Sequence, residues 1–217
     1  GVISRGYGGR APYYPYIIAN ESTVEETGDE PLMIYRRSQV PVCIGKNRIS
    51  SAKLLIEQGC NIIIADDGLQ HYQLQRDIEF IVIDGKRRFG NELLLPAGPL
   101  REGAWRLDTV DYIINNGTKP RQNEIPMALE TSVLVNCVTG EEISPLELKQ
   151  QQLKVTAIAG IGSPDRFFST VRTLGFIIKE QVGFVDHHHY QLSDFNQFSN
   201  DIPLLMTEKD AIKCYGF

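Results

Sequence analysis

The chain has 217 residues, 42% of them hydrophobic and 23% charged, which is enough apolar mass for one large or two small domains of soluble type. Its net charge of −5 excludes a general nucleic-acid binder, which needs a strongly basic face, so no nucleic-acid partner is expected and any phosphate recognition is local. The four cysteines, Cys43, Cys60, Cys137 and Cys214, form no CxxC pair, and no apolar stretch approaches the ~20 residues of a spanning helix.

Residues 1–4 read as a strand that starts without Met, and residues 214–217 stop soon after a new helix begins, so a fragment is expected. After the first strand comes Arg5-Gly6-Tyr7-Gly8-Gly9, whose glycines permit close backbone approach to a ligand. Thr27-Gly28-Asp29-Glu30-Pro31 opens a helix running through Arg37, and two acids at a helix start suit its dipole whether or not they have another role. Residues 50–58 read as a helix. The apolar, β-branched run 62–65 then reads as a strand buried on both faces.

That strand is followed by Asp66-Asp67-Gly68-Leu69-Gln70-His71. A helix cap needs one Asp. Two adjacent carboxylates at the carboxyl end of a parallel strand suit a hard divalent cation with oxygen ligands. Residues 78–83 read as another buried strand ending in Asp84-Gly85, and 111–114 as a further one. Between them lie Lys86-Arg87-Arg88 and, beyond, Arg101 and Arg106. A cationic run is ordinarily a solvated surface, but at a sheet edge it suits anionic oxygens.

Residues 120–151 are rich in Pro, Asn, Glu and Gln, with one β-like piece at 132–136, and read as a linker. A strand at 153–159, the loop Gly160-Ile161-Gly162 and a helix at 165–174 open a second unit; the glycine pair lacks the rest of a dinucleotide fingerprint. Asp186-His187-His188-His189 holds three of the four histidines. Consecutive side chains cannot all face one ion, so Asp186 orienting His187 as a catalytic or substrate-binding pair is the economical reading. A strand at 202–206 leads into Thr207-Glu208-Lys209-Asp210. Strands alternating with helices in this way predict an α/β fold with a doubly wound, mostly parallel sheet. On the residues alone, a metal-dependent phosphohydrolase and a non-catalytic interaction module remain open.

Ser4-Arg5-Gly6-Tyr7-Gly8-Gly9, Gly28-Asp29-Glu30-Pro31, Asp66-Asp67-Gly68-Leu69-Gln70-His71, Arg87-Arg88-Phe89-Gly90-Asn91, residues 95–102, Ala159-Gly160-Ile161-Gly162, Asp186-His187 and Met206-Thr207-Glu208-Lys209-Asp210 together resemble the tetraacyldisaccharide 4'-kinase family of lipid A synthesis. The resemblance implies a P-loop nucleoside-triphosphatase-like core, incomplete here, with a smaller α/β domain. It implies boundaries at 1–125 for the core, 126–151 for a linker and 152–217 for the second domain. It also implies ATP and Mg²⁺ as cofactors, a lipid A disaccharide precursor as partner, and the cytoplasmic face of the bacterial inner membrane, reached through an N-terminal segment, as location. By the same resemblance Asp29 is the catalytic base assisted by His187, and Asp66, Asp67 and Glu30 form the metal site. Arg5, Tyr7, Gln70, His71, Arg87 and Arg88 are the expected substrate contacts. No G-x-x-x-x-G-K-[ST] occurs in the chain. The phosphate-cradling loop is therefore expected upstream, and the isolated fragment is expected to be inactive.

Overall fold

A computed structural model describes residues 1–149 and 151–215. Gln150, Gly216 and Phe217, which the expected linker and second domain include, lie outside the described residues. In chain order the elements are β1 (Val2–Ser4), β2 (Tyr16–Ile17), α1 (Val24–Thr27), α2 (Asp29–Ser38), β3 (Val42–Ile44), α3 (Arg48–Glu57), β4 (Ile64–Ala65), β5 (Phe80–Asp84), β6 (Tyr112–Asn116), β7 (Glu124–Met127), β8 (Leu134–Val135), β9 (Glu142–Ile143), α4 (Pro145–Lys149), β10 (Lys154–Ala159), α5 (Pro164–Thr173), β11 (Ile177–Gly183), α6 (Leu192–Phe195), β12 (Leu204–Leu205) and α7 (Glu208–Ala211). Contacts group Gly1–Gly68 with Ser132–Phe217 as one unit and Leu69–Thr131 as another. This is a cut by packing density, different from the one expected at 125 and 151.

In the first unit, β2, β3, β1 and β4 form a four-stranded sheet in that order. β1 pairs in parallel with β3 and β4, while β2 runs antiparallel on the far side of β3. Val2, Ile18, Leu32, Val42, Ile44 and Ile212 make its core. Ile212, from the turn after α7, thus packs into the amino-terminal sheet, and this burial joins the two ends of the chain. Each such side chain contributes about 1.5–3 kcal/mol on leaving water. β11, β10 and β12 form a second, fully parallel three-stranded sheet covered by α5, with Phe168, Val171 and Phe176 buried beneath it.

The strand before Asp66 departs from expectation. β4 is a two-residue edge strand, with Ile62 70% and Ile64 62% exposed, instead of a strand buried on both faces. An uninterrupted apolar run does not distinguish a central strand from an edge.

In the second unit, β5, β6 and β7 form a parallel sheet. β5 was also expected to be buried, yet Phe80 and Val82 are exposed on one face, where Phe80 stacks on Tyr112 with ring centroids 5.1 Å apart. β7 lies inside the stretch read as linker. Its Pro126 is tolerated because β7 is an edge strand, where a missing N–H costs no ladder bond.

Candidate active site

The amino-terminal loop is held against the start of α2 by backbone contacts that only glycine permits. Gly28 adopts φ +83° and ψ 158°, and a Cβ there would sit 2.4 Å from the Tyr7 carbonyl oxygen. A Cβ on Gly9 would sit 2.6 Å from the Glu26 carbonyl oxygen. Thr23 and Glu26 close α1 with a reciprocal capping box, so the chain reaches Gly28 in a fixed direction and α2 begins at once with Asp29. Asp29 is 5% exposed, and its Oδ1 accepts the Glu30 backbone N–H at 2.9 Å.

The other Asp29 oxygen faces the distant end of the chain. His187 Nδ1 lies 2.9 Å from Asp29 Oδ2, across 158 positions of sequence. An ionised carboxylate only accepts, so Nδ1 carries the hydrogen of this bond. His187 is held at φ +58°, its backbone N–H donating to Gly160 O at 3.2 Å and to Asp186 Oδ1 at 3.0 Å. Asp186 therefore orients the residue chiefly through its backbone, since Asp186 Oδ2 is 3.9 Å from His187 Nε2. The Tyr7 ring stands 5.6 Å from the imidazole, which leaves one side of the histidine against the glycine loop. The imidazole is 35% exposed and Asp29 is behind it.

Lys209 completes the group. Its ammonium donates to Glu30 Oε1 at 2.9 Å and lies 3.6 Å from Asp186 Oδ1 and 3.9 Å from Asp29 Oδ2. Burial depresses its pKa, but the Glu30 hydrogen bond and the charges of Asp29, Glu30 and Asp186 outweigh burial and raise it, so Lys209 remains a cation.

Asp66 and Asp67 follow β4 at its carboxyl end, as expected. Ser4 Oγ donates to Asp66 Oδ2 at 2.9 Å. The buried Arg48, at the start of α3, donates to Ile3 O at 3.0 Å, and its burial-lowered pKa is partly restored by the charges of Asp66 and Asp67. Glu30 is the third carboxylate expected at this metal site. Its carboxylate is engaged by Lys209, and among the described residues no three His, Cys, Asp or Glu side chains are grouped to hold a metal. The two adjacent carboxylates are hard oxygen donors of the kind Mg²⁺ takes in ones and twos, alongside water and phosphate oxygens.

The remaining expected substrate contacts have varied surroundings. Arg5 is exposed in the glycine loop of the first unit, and Gln70, His71, Arg87 and Arg88 lie in the second. Arg88 is committed within its own unit. It donates through both terminal nitrogens to Glu124 at 2.7 and 3.1 Å, and with Asn115 and the Arg121 backbone N–H it holds the Glu124 carboxyl down to about 2. Gln70 donates to Glu102 at 2.6 Å, while Arg106 grips Glu79 through 2.7 and 2.8 Å bonds. The Lys86 and Arg87 backbone N–H groups donate to Asp84, which fixes that turn.

Comparison with known proteins decides what kind of chain holds this arrangement. A family model described as tetraacyldisaccharide-1-P 4'-kinase matches residues 1–217. The chain belongs to the tetraacyldisaccharide 4'-kinase family. It is 55% identical to the tetraacyldisaccharide 4'-kinase of Colwellia psychrerythraea, 51% to that of Aliivibrio salmonicida and 47% to one from Vibrio cholerae. The whole chain aligns in each case and spans 64–65% of the relative's length. The crystal structure of LpxK from Aquifex aeolicus in complex with ATP is similar with a TM-score of 0.77 at 26% identity, covering 100% of this chain and 70% of that one. The α/β architecture with mostly parallel sheets, consistent with a P-loop nucleoside-triphosphatase-like fold, is thus shared with a solved tetraacyldisaccharide 4'-kinase.

Two residues of this 4'-kinase family chain received no role from sequence. Lys209 was visible only as part of a polar strand-to-helix junction, the same kind of junction that supplies Asp66 and Asp186. Arg48 follows β3, a strand too short to announce itself, and Asn47 caps the helix it begins by accepting the Ser50 N–H at 3.1 Å.

Proposed function

We propose that the full-length protein carrying this chain transfers the γ-phosphoryl group of ATP to the 4'-hydroxyl of a tetraacylated glucosamine disaccharide 1-phosphate, at the cytoplasmic face of the bacterial inner membrane. The observation that carries this reading is the 2.9 Å contact between Asp29 and His187, in a chain whose full length matches the family. Phosphoryl transfer asks of a protein mainly positioning, charge stabilisation and a group that takes the nucleophile's proton. A sugar hydroxyl attacks poorly until a base lies within hydrogen-bond reach. Asp29, held by the Glu30 N–H, acts as that base through His187: the partly exposed imidazole takes the hydroxyl proton at Nε2 while Asp29 holds the Nδ1 side of the ring.

Asp66 and Asp67 are the residues that would hold Mg²⁺, which when bound neutralises charge on the transferring phosphoryl oxygens. Ser4 and Arg48 keep that carboxylate pair in place. Tyr7, beside the imidazole, and Arg5, in the same glycine loop, are assigned to the sugar or its phosphate; Gln70, His71 and Arg87 are carried over from the family resemblance as substrate contacts of their own unit. Arg88 belongs less to this set, since Glu124 already takes its fork. The chain has no G-x-x-x-x-G-K-[ST] segment, so the cradle for the ATP phosphates is assigned to the part of the relatives' length that this chain does not span. No helix among the described residues is long and apolar enough to cross a membrane, and membrane attachment is likewise assigned outside the chain.

The test is transfer of labelled γ-phosphate from ATP to the disaccharide 1-phosphate by the full-length protein and by the 217-residue chain. Turnover by the longer protein only is the expected result. Equal turnover by both would remove the assigned need for an upstream phosphate loop, and none by the longer protein would remove the kinase reading.

A further inference from the structure

The Thr207-Glu208-Lys209-Asp210 turn spends all four side chains on its surroundings. Thr207 Oγ1 accepts the Asp210 N–H at 3.1 Å and donates to Asp210 Oδ2 at 2.7 Å, which closes the turn on itself. Asp210, fully buried, accepts the Gly160 N–H at 3.1 Å, and the Gly160 carbonyl in turn accepts the His187 N–H. Lys213 Nζ lies 2.8 Å from Asp210 Oδ1, so the buried carboxylate is charge-balanced. On the opposite side, Glu208 pairs with Arg37 at 2.5 Å and Lys209 with Glu30 at 2.9 Å, both on α2. One turn therefore grips the His187 loop with its buried side and the Asp29 helix with its outer side.

We propose that Lys209 is a positioning residue for the Asp29–His187 pair, setting its geometry and charge by bridging Glu30, Asp186 and Asp29. This rests on the reading of that pair as the proton acceptor. Without the ammonium, the carboxylates of Asp29 and Asp186 would flank the imidazole, with that of Glu30 next along α2, and no cation from α7 would stand among the three. Their mutual repulsion would push α2 and the His187 loop apart, and at 16% exposure the lysine is shielded enough for its charge to be felt. Arg37 does not replace it, because its guanidinium is 72% exposed and engaged with Glu208. Ile212, Asp210 and Thr207 hold the same turn without the ammonium, so removal of Lys209 should change the pair far more than the fold.

The test uses the full-length protein and four variants, Lys209→Met, Lys209→Arg, Asp29→Asn and the double variant Lys209→Met with Asp29→Asn. Lys209→Met is expected to lower kcat roughly tenfold or more with the KM for ATP little changed, and Lys209→Arg is expected to recover most of it, since it restores the cation. Added to Asp29→Asn, Lys209→Met should cost almost nothing further, because a residue that acts through Asp29 has nothing left to position. A Lys209→Met loss that multiplies undiminished with that of Asp29→Asn would overturn the inference, as would an unchanged kcat or a large drop in Tm. The proton on His187 Nδ1, followed by NMR, gives a readout independent of turnover. Its downfield resonance should weaken or exchange faster in Lys209→Met and return in Lys209→Arg, and an unaffected resonance would sink the idea. If the unaltered protein transfers no phosphate yet the resonance responds in this way, the kinase reading fails while the positioning role stands.

Discussion

Charged side chains gather in two places, and they are used in opposite ways. In the Leu69–Thr131 unit the buried Arg106 and the half-buried Arg88 and Arg76 are each held by a glutamate in the same unit: Arg88 by Glu124, Arg106 and Arg76 by Glu79. Three arginines there share two glutamates, Arg88 through a two-nitrogen fork on Glu124 and Arg106 and Arg76 together on Glu79, and every group is within reach of its partner in its own neighbourhood. Around His187 the charges come from three separated segments, acids outnumber the one lysine, and the imidazole stays partly open. Charge saturated by close partners holds a fold together. Unmatched charge converging on a titratable ring is what chemistry uses.

That contrast breaks first at Asp29. In the full-length protein, Asp29→Ala and His187→Ala should each lower kcat by about 10²–10⁴-fold with little effect on ATP binding, the range that general-base removal typically costs. Because the two act as a unit, the double variant should lose much less than the product. Steady-state kinetics of the three variants decide it, and a near-normal kcat for Asp29→Ala would return this cluster to the structural class.

Gly28→Ala comes next. It forces a side chain into a backbone region that belongs to glycine and into the Tyr7 carbonyl, for a cost of about 1–3 kcal/mol in stability. A denaturant midpoint measures it, and activity should fall further than the lost stability predicts, because the strain sits one residue from Asp29.

Arg88→Ala should be smaller and of a different kind. It leaves Glu124 without its fork, so thermal unfolding should begin several degrees lower while KM for the disaccharide stays the same; a raised KM with unchanged stability would put Arg88 among the substrate contacts after all. The mildest effect is that of acid. Glu124 titrates at about 2 in the fold against 4.5 ordinarily, so its stabilisation is complete above about pH 4.5 and is lost as pH falls toward 2. Denaturant midpoints across that window should slope less steeply for Glu124→Gln than for the unaltered protein.

Much of this was legible in the sequence, for reasons that also mark the limits. Helices α2, α3 and α5 were readable to within two residues because capping and periodicity are local signals, and β10 because five of its six residues are buried and four of those, Val155, Ala157, Ile158 and Ala159, are apolar. β11 was missed although it is the longest strand: Lys179, Glu180 and Gln181 in its middle erase the apolar pattern, since much of it is exposed. Which strands are edges depends on pairing partners far along the chain, and β4 shows that composition does not report it. The pairing of Asp29 with His187 came from family resemblance, and the structure supplies its distance. The loss of Arg88 to Glu124 and the insertion of Lys209 among three acids are facts of tertiary placement, invisible to spacing.

The link between Asp29 and His187 also bears on when the protein becomes competent. A contact spanning 158 positions is among the last that a growing or refolding chain can close, since loops of that size are entropically late and their ends must first find the amino-terminal sheet and the Ile212 turn. A ribosome-bound chain therefore has no assembled base until residue 187 has emerged and folded back. Recovery of the proton-accepting pair during refolding should lag behind recovery of helical signal, which makes the chemistry itself a clock for completion of the fold.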